Sequence, residues 1–150
     1  LLSNNVMRKR AIIIAGNDVE MNLIDNILKN REYEIVVSPE PIFCPIYLNS
    51  EYPCPVDTFC ATIIIADISM PSIFNVLGFI ENLKRNGCKV QNIATMSGRW
   101  TYEKFEHAKR LGCHIFKKSF KIDEIERWLD ACEKKLDPNS KLSDLPRRVE

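Results

Sequence analysis

No apolar run in this chain approaches the roughly 20 residues that a membrane helix requires, and neither sign of charge prevails, with 21 lysines and arginines against 20 acidic residues. The first absence argues against a helical membrane span. The second excludes an overall field that would favour nucleic acid, an anionic membrane or a polyacidic substrate. Partners are therefore expected to be proteins, with neither nucleic acid nor membrane among them. Leu1-Leu2-Ser3-Asn4-Asn5-Val6 lacks the basic-then-apolar pattern of an export signal, which predicts a cytoplasmic protein, and Met7 is expected to be the native start. The chain carries no internal repeat and no low-complexity segment. No glycine-rich phosphate loop follows the first apolar run, where Gly16 stands alone, and this disfavours a nucleotide- or flavin-binding enzyme.

What is present is the making of one domain: 150 residues, 45% of them hydrophobic, enough for a proper core. Five short apolar runs rich in β-branched residues read as strands: Ala11 to Ala15, Glu34 to Val37, Thr62 to Ala66, Asn92 to Met96 and His114 to Lys117. Helical spacing lies between them. Asn17 or Asp18 caps a first helix reaching Asn30, Phe74 to Leu83 lie in another that Gly87 ends, and Thr101 caps one closed by Gly112. A last helix carries the stripe Ile122, Ile125, Trp128, Leu129, Cys132 and Leu136. Strands alternating with helices predict an α/β fold, an open, doubly wound, five-stranded parallel sheet whose site lies at the carboxyl ends of the strands. The segment from Ser38 to Cys60 carries Pro39, Pro41, Pro45, Pro53 and Pro55, so a regular helix is not expected there. Its apolar residues are expected to pack on the sheet in place of a second helix. The domain is read as residues 8–137, with a polar, loose tail over 138–150.

The most specific motif is Asp67-Ile68-Ser69-Met70-Pro71, directly after the third strand. A carboxylate projecting from a strand end can attack a phosphoryl group. Ser97-Gly98 follows the fourth strand and Lys118-Ser119-Phe120 the fifth, so adjacent strand ends would gather a carboxylate, a hydroxyl and an ammonium in one pocket. An acyl phosphate brings nearly two negative charges and three acceptor oxygens, which call for a donor hydroxyl and a cation close by. The blander alternatives are a strand-end acid capping its loop, a serine in turn chemistry before glycine, and Lys118 as half of a solvated pair with Lys117.

In these residues, and over roughly Lys9 to Leu136, the chain resembles the receiver (CheY-like) domain of two-component response regulators. Asp67-Ile68-Ser69-Met70-Pro71 matches that family's Asp-x-x-Met-Pro turn, and Lys118-Ser119-Phe120 its Lys-Pro-Phe with serine for proline. The resemblance implies a flavodoxin-like sheet of order 2-1-3-4-5, Asp67 as phospho-acceptor, Ser97 as switch hydroxyl and Lys118 as the phosphate's cation. It also implies magnesium, which the family holds with two acidic residues ending the first strand. Here those positions are Ala15 and Gly16, leaving Asp67, Asp18, an Asn17 carbonyl and the Ser69 carbonyl as donors, a set one carboxylate short. The family's switch aromatic, three residues before the lysine, is Ile115. Phe116 is its neighbour, but strand alternation turns it to the other face.

Six cysteines are many for a cytosolic chain. Cys44, Cys54 and Cys60 show no C-x2-C pair, yet the fold would put Cys60, Cys88 and Cys113 at the starts of three adjacent strands. With Cys44 or Cys54 they could hold zinc or an iron–sulfur centre; His114 is a further donor, although alternation separates it from Cys113. Alternatively they are small buried hydrophobes, or free thiols that pair when oxidised. Trp100 and Tyr102 fall where receivers meet partners, or simply pack at a helix start. The first expectation is thus a signalling domain, not an enzyme, that takes phosphate on Asp67 from a histidine kinase or phosphotransfer protein. It would act on a downstream protein with no output domain of its own. The rival is a pseudo-receiver working as a protein-binding or cysteine-based metal or redox sensor.

Overall fold

The computed structural model describes residues 8–16, 18–69 and 74–145; Asn17, Met70 and Pro71, part of the sequence argument, lie outside them. Strands β1 (Lys9–Ile14), β2 (Tyr33–Ser38), β3 (Ile63–Asp67), β4 (Asn92–Ser97) and β5 (His114–Lys117) form one parallel sheet in the order β2-β1-β3-β4-β5. Alternation splits the inner strands between two cores. Ile13, Ile63, Ile65, Met96 and Phe116 face helices α1 (Val19–Asn30) and α5 (Ile122–Lys134). Ile12, Ile14, Ile64, Ala66 and Ile93 face α3 (Val76–Arg85) and α4 (Tyr102–Arg110). Burial on both faces is why β1 and β3 read as unbroken isoleucine runs rather than alternating ones.

The helices begin where side chains can take up orphan amides. Asp18 accepts the Met21 N–H at 2.9 Å, Asn75 that of Gly78 at 3.0 Å and Thr101 that of Lys104 at 3.2 Å. Gly112, at φ 79°, follows α4 in a left-handed turn that a side chain would strain. In α5 the buried stripe is Ile125, Trp128, Leu129 and Cys132. Ile122, expected within it, is exposed, because as the first helical residue it stands beyond the last residue of β5.

The crossover from β2 to β3 contains a single helical turn, α2 (Pro45–Leu48), with Pro45 at its start where a missing N–H costs nothing. It covers the sheet as expected: Ile46 is buried, and the Tyr47 ring meets those of Phe74 and Phe79 edge-on at 5.0 and 5.8 Å. The tail departs from expectation, since residues 138–145 are docked, not loose. Leu142 bridges Phe59 in parallel, the Ser143 N–H donates to the Phe59 carbonyl at 2.9 Å, and Leu145 packs on the core on the α3/α4 side of the sheet. The reason lies in Arg10, a buried cation on β1 that must find acceptors. It takes the carbonyls of Cys60 and Ser143 at 2.9 and 2.8 Å and the Glu34 carboxylate at 3.0 Å. Among the described residues no helix is long and apolar enough to cross a membrane.

Candidate functional site

Register decides what meets at the carboxyl edge of the sheet. Ile14 pairs with Ala66, Asp67 with Met96, and Ser97 with Lys117, so the strands end level and the residues just beyond them form one rim. Asp67 is 2% exposed, and each carboxylate oxygen has its own donors. Oδ1 accepts from the Ser69 backbone N–H at 2.9 Å and from its hydroxyl at 2.7 Å. Oδ2 lies 2.6 Å from Lys118 Nζ. The same ammonium reaches Asp18 Oδ2 at 3.0 Å, so one cation spans two carboxylates.

The three residues singled out from the motifs are therefore neighbours on this rim. Lys118 is placed by its backbone N–H, which donates to the Ser97 carbonyl at 2.8 Å. Ser97 is buried, and its Oγ accepts the Arg99 N–H at 3.0 Å, turn chemistry that leaves its own proton available as a donor. Asp18 reaches in while still capping α1. Sequence reasoning missed the Ser69 hydroxyl, having considered only its carbonyl; the signal was the Asp-x-Ser spacing, in which the acid binds the backbone two residues on. Ser119 adopts φ 67°, a backbone that proline's fixed φ forbids, so serine in place of the family's proline goes with a different local path.

The electrostatics follow from the geometry. Burial opposes the charge on Lys118, but its bonds to Asp67 and Asp18 outweigh that cost and raise its pKa. Burial also opposes the charge on Asp18, yet the Met21 N–H and Lys118 hold its carboxyl below the usual range. For a magnesium ion the donor set fits poorly. Ala15 and Gly16 offer no carboxylate side chain, and the Lys118 ammonium already engages one oxygen each of Asp18 and Asp67.

Other expected groupings separate. Cys44, Cys54, Cys60 and Cys88 line one apolar cavity under the crossover, but Cys113, buried against α4, is not among its walls. Among the described residues no group of three or more histidine, cysteine, aspartate or glutamate side chains is arranged to hold a metal ion, so the expected zinc or iron–sulfur cluster is not found. His114 turns away from Cys113 and stacks on Trp128 at 5.8 Å, as alternation requires. Ile115 packs on the α3/α4 core and Phe116 on the other. Trp100 is tied down, its Nε1 donating to the Phe116 carbonyl at 3.0 Å and its ring meeting Phe105 edge-on, whereas Tyr102 is 79% exposed.

No protein-family model matches the chain, and no curated protein matches it in sequence. Solved structures do match. The receiver domain of a sensor histidine kinase from Pseudomonas aeruginosa, described with a magnesium ion coordinated in its active-site cleft, has a TM-score of 0.63 at 14% identity over 85% of this chain and 99% of that one. A response regulator receiver protein from Pseudomonas putida has 0.63 at 18% identity, over 84% and 98%. The non-phosphorylated HemR receiver domain from Leptospira biflexa has 0.64 at 13%, over 88% and 99%. The chain has the flavodoxin-like fold of CheY-like receiver domains, with the strand order that the motifs implied.

Proposed function

We propose that this chain is a signalling receiver that accepts a phosphoryl group on Asp67 and relays the change by protein contact. The observation that carries the reading is the Asp67–Lys118 pair, a buried strand-end carboxylate with an ammonium 2.6 Å from Oδ2. In the transfer, an Asp67 oxygen attacks phosphorus in line while the donor, an imidazole nitrogen of a histidine kinase or phosphotransfer protein, leaves. Lys118 then balances the charge that accumulates on the phosphoryl oxygens, and the Ser97 hydroxyl supplies a donor. Output would pass through β5 and the exposed side of α4, where Tyr102 and Phe105 stand.

The test is intact mass after incubation with acetyl phosphate, beside Asp67→Asn and with magnesium present or chelated. A phosphoryl adduct in the parent and none in the variant is expected. Adduct formation that depends on magnesium would overturn the donor-set argument while leaving Asp67 as acceptor. Failure with acetyl phosphate and with candidate kinases would favour the second reading, a pseudo-receiver. That reading is supported by the way Lys118 already spans both carboxylates, so that its ammonium is engaged without phosphate.

A further inference from the structure

Asp18 makes two attachments, and each uses a different oxygen. Oδ1 accepts the Met21 N–H at 2.9 Å and so caps α1, while Oδ2 lies 3.0 Å from Lys118 Nζ. A helix cap needs only one side-chain oxygen, and asparagine or serine caps as well as aspartate does. The helix therefore accounts for Oδ1 and leaves Oδ2 unexplained. What Oδ2 does is fix Lys118 between two acids, 2.6 Å from Asp67 and 3.0 Å from Asp18, with the lysine side chain only 18% exposed.

That placement bears on the transfer to Asp67 proposed above, the reading on which this inference rests. Two carboxylates against one ammonium leave the trio with one net negative charge before any phosphate arrives. With acetyl phosphate as donor, an Asp67 oxygen bonds to phosphorus while the bond to acetate breaks, and acetate departs with the electron pair. Asp67 gives up its own charge in becoming the ester, but the phosphoryl group brings nearly two. Lys118 must then serve the phosphoryl oxygens. The Asp18 carboxylate opposes this twice, because it holds the ammonium in a charge-assisted bond and because its own charge repels the dianion. Over a few ångströms that repulsion survives even water-like screening.

We infer that Asp18 is a positioning residue that restrains phosphorylation of Asp67: its Oδ2 keeps the Lys118 ammonium between the two acids, and its charge opposes the arriving phosphoryl group. The restraint is separable from the cap. In Asp18→Asn the remaining oxygen still suits the Met21 N–H, and the amide then turns its NH2 toward an ammonium that has only donors. In Asp18→Ser the hydroxyl caps α1 but ends one bond short of the position from which Oδ2 reaches Lys118. Both variants keep the helix start and free the lysine.

The experiment takes two readouts on the full chain and both variants, each first checked for its unfolding midpoint. The first needs no phosphate: the rate at which an amine-directed reagent labels Lys118, resolved from the other lysines by peptide mass. An ammonium shared by two carboxylates gives up its proton reluctantly, so Lys118 should label slowly in the parent and several-fold faster in both variants. The second is the rate of adduct formation from acetyl phosphate by intact mass, with magnesium present and chelated and with Asp67→Asn as the blank. It should rise about tenfold in both variants. Asp25→Asn, which removes a charge paired with Lys29 on the same helix, should change neither rate. Lys118 labelling that is unchanged in both variants overturns the hold on the lysine, and adduct formation no faster than in the parent overturns the restraint. If none of the proteins forms an adduct, the reading of Asp67 as acceptor falls and the restraint with it, and the labelling rates distinguish that failure from the absence of the Asp18–Lys118 bond.

Discussion

At the carboxyl ends of the strands a buried charge, Asp67, is matched by side chains: the Lys118 ammonium on one oxygen and the Ser69 hydroxyl on the other. At the amino ends the buried charge is Arg10, and its partners are largely backbone, the carbonyls of Cys60 and Ser143, with Glu34 completing the set. Both sites satisfy the rule that a buried ion must be paired and hydrogen-bonded. They differ in what can be exchanged. A lysine on a four-carbon stem can move from a carboxylate to a phosphate with little disturbance. A backbone carbonyl cannot leave without its segment of chain. Exchange is therefore open to the first site, where the proposed chemistry would fall, and anchoring falls to the second.

Removing the counter-charge at the reactive end breaks this comparison most severely. Lys118→Met leaves Asp67 buried and partly uncompensated, and should cost about 3 kcal/mol in denaturant unfolding. The double variant with Asp67→Asn should recover most of that loss, a coupling that a double-mutant cycle measures directly. At the anchoring end, Arg10→Met strands two carbonyls and releases the tail, for a cost of about 2 kcal/mol. Amide exchange should then speed up at Ser143, whose N–H is bonded to Phe59, a signature Lys118→Met does not share. A smaller effect of opposite sign is expected at Ser119, which holds φ 67°: glycine there should stabilise by up to about 1 kcal/mol, and proline should destabilise.

The dependence on pH sharpens the same contrast. Asp18 is held below its ordinary value of 3.8, so its contribution to stability is full above that value and is lost as pH falls through the lower folded value. Lys118 is raised above 10.5; its contribution is full below that value and disappears only as pH rises through the higher one. Unfolding midpoints measured down an acid series should thus fall less steeply in Asp18→Asn than in the parent.

How much of this was legible beforehand depends on range along the chain. Isoleucine runs at β1 and β3, the caps at Asp18 and Thr101, and the order of strand ends that brings Asp67, Ser97 and Lys118 together all follow from local pattern and parallel topology. The docking of Leu142 on Phe59 does not, because it is decided by a buried arginine whose acceptors lie 50 and 133 residues away. Nor did spacing reveal which cysteines converge. Cys113 shares the start of a strand with Cys60 and Cys88 but not their cavity, since the crossover folds over one side of the sheet and stops short of β5.

The tether of Trp100 to the Phe116 carbonyl has an optical consequence. The chain has two tryptophans, and both touch the β5 segment around Phe116, Trp100 through its indole N–H and Trp128 through its ring at 5.7 Å. One sits on each side of the sheet. Trp100 follows Ser97 by three residues, so under the proposed phosphorylation a shift of that hydroxyl would change the surroundings of its indole, while Trp128, on α5, would stay packed against Phe116. The protein thus carries a paired reporter, one emitter beside the event and one reference behind the sheet, and replacing either tryptophan with phenylalanine would read the other alone without any added dye.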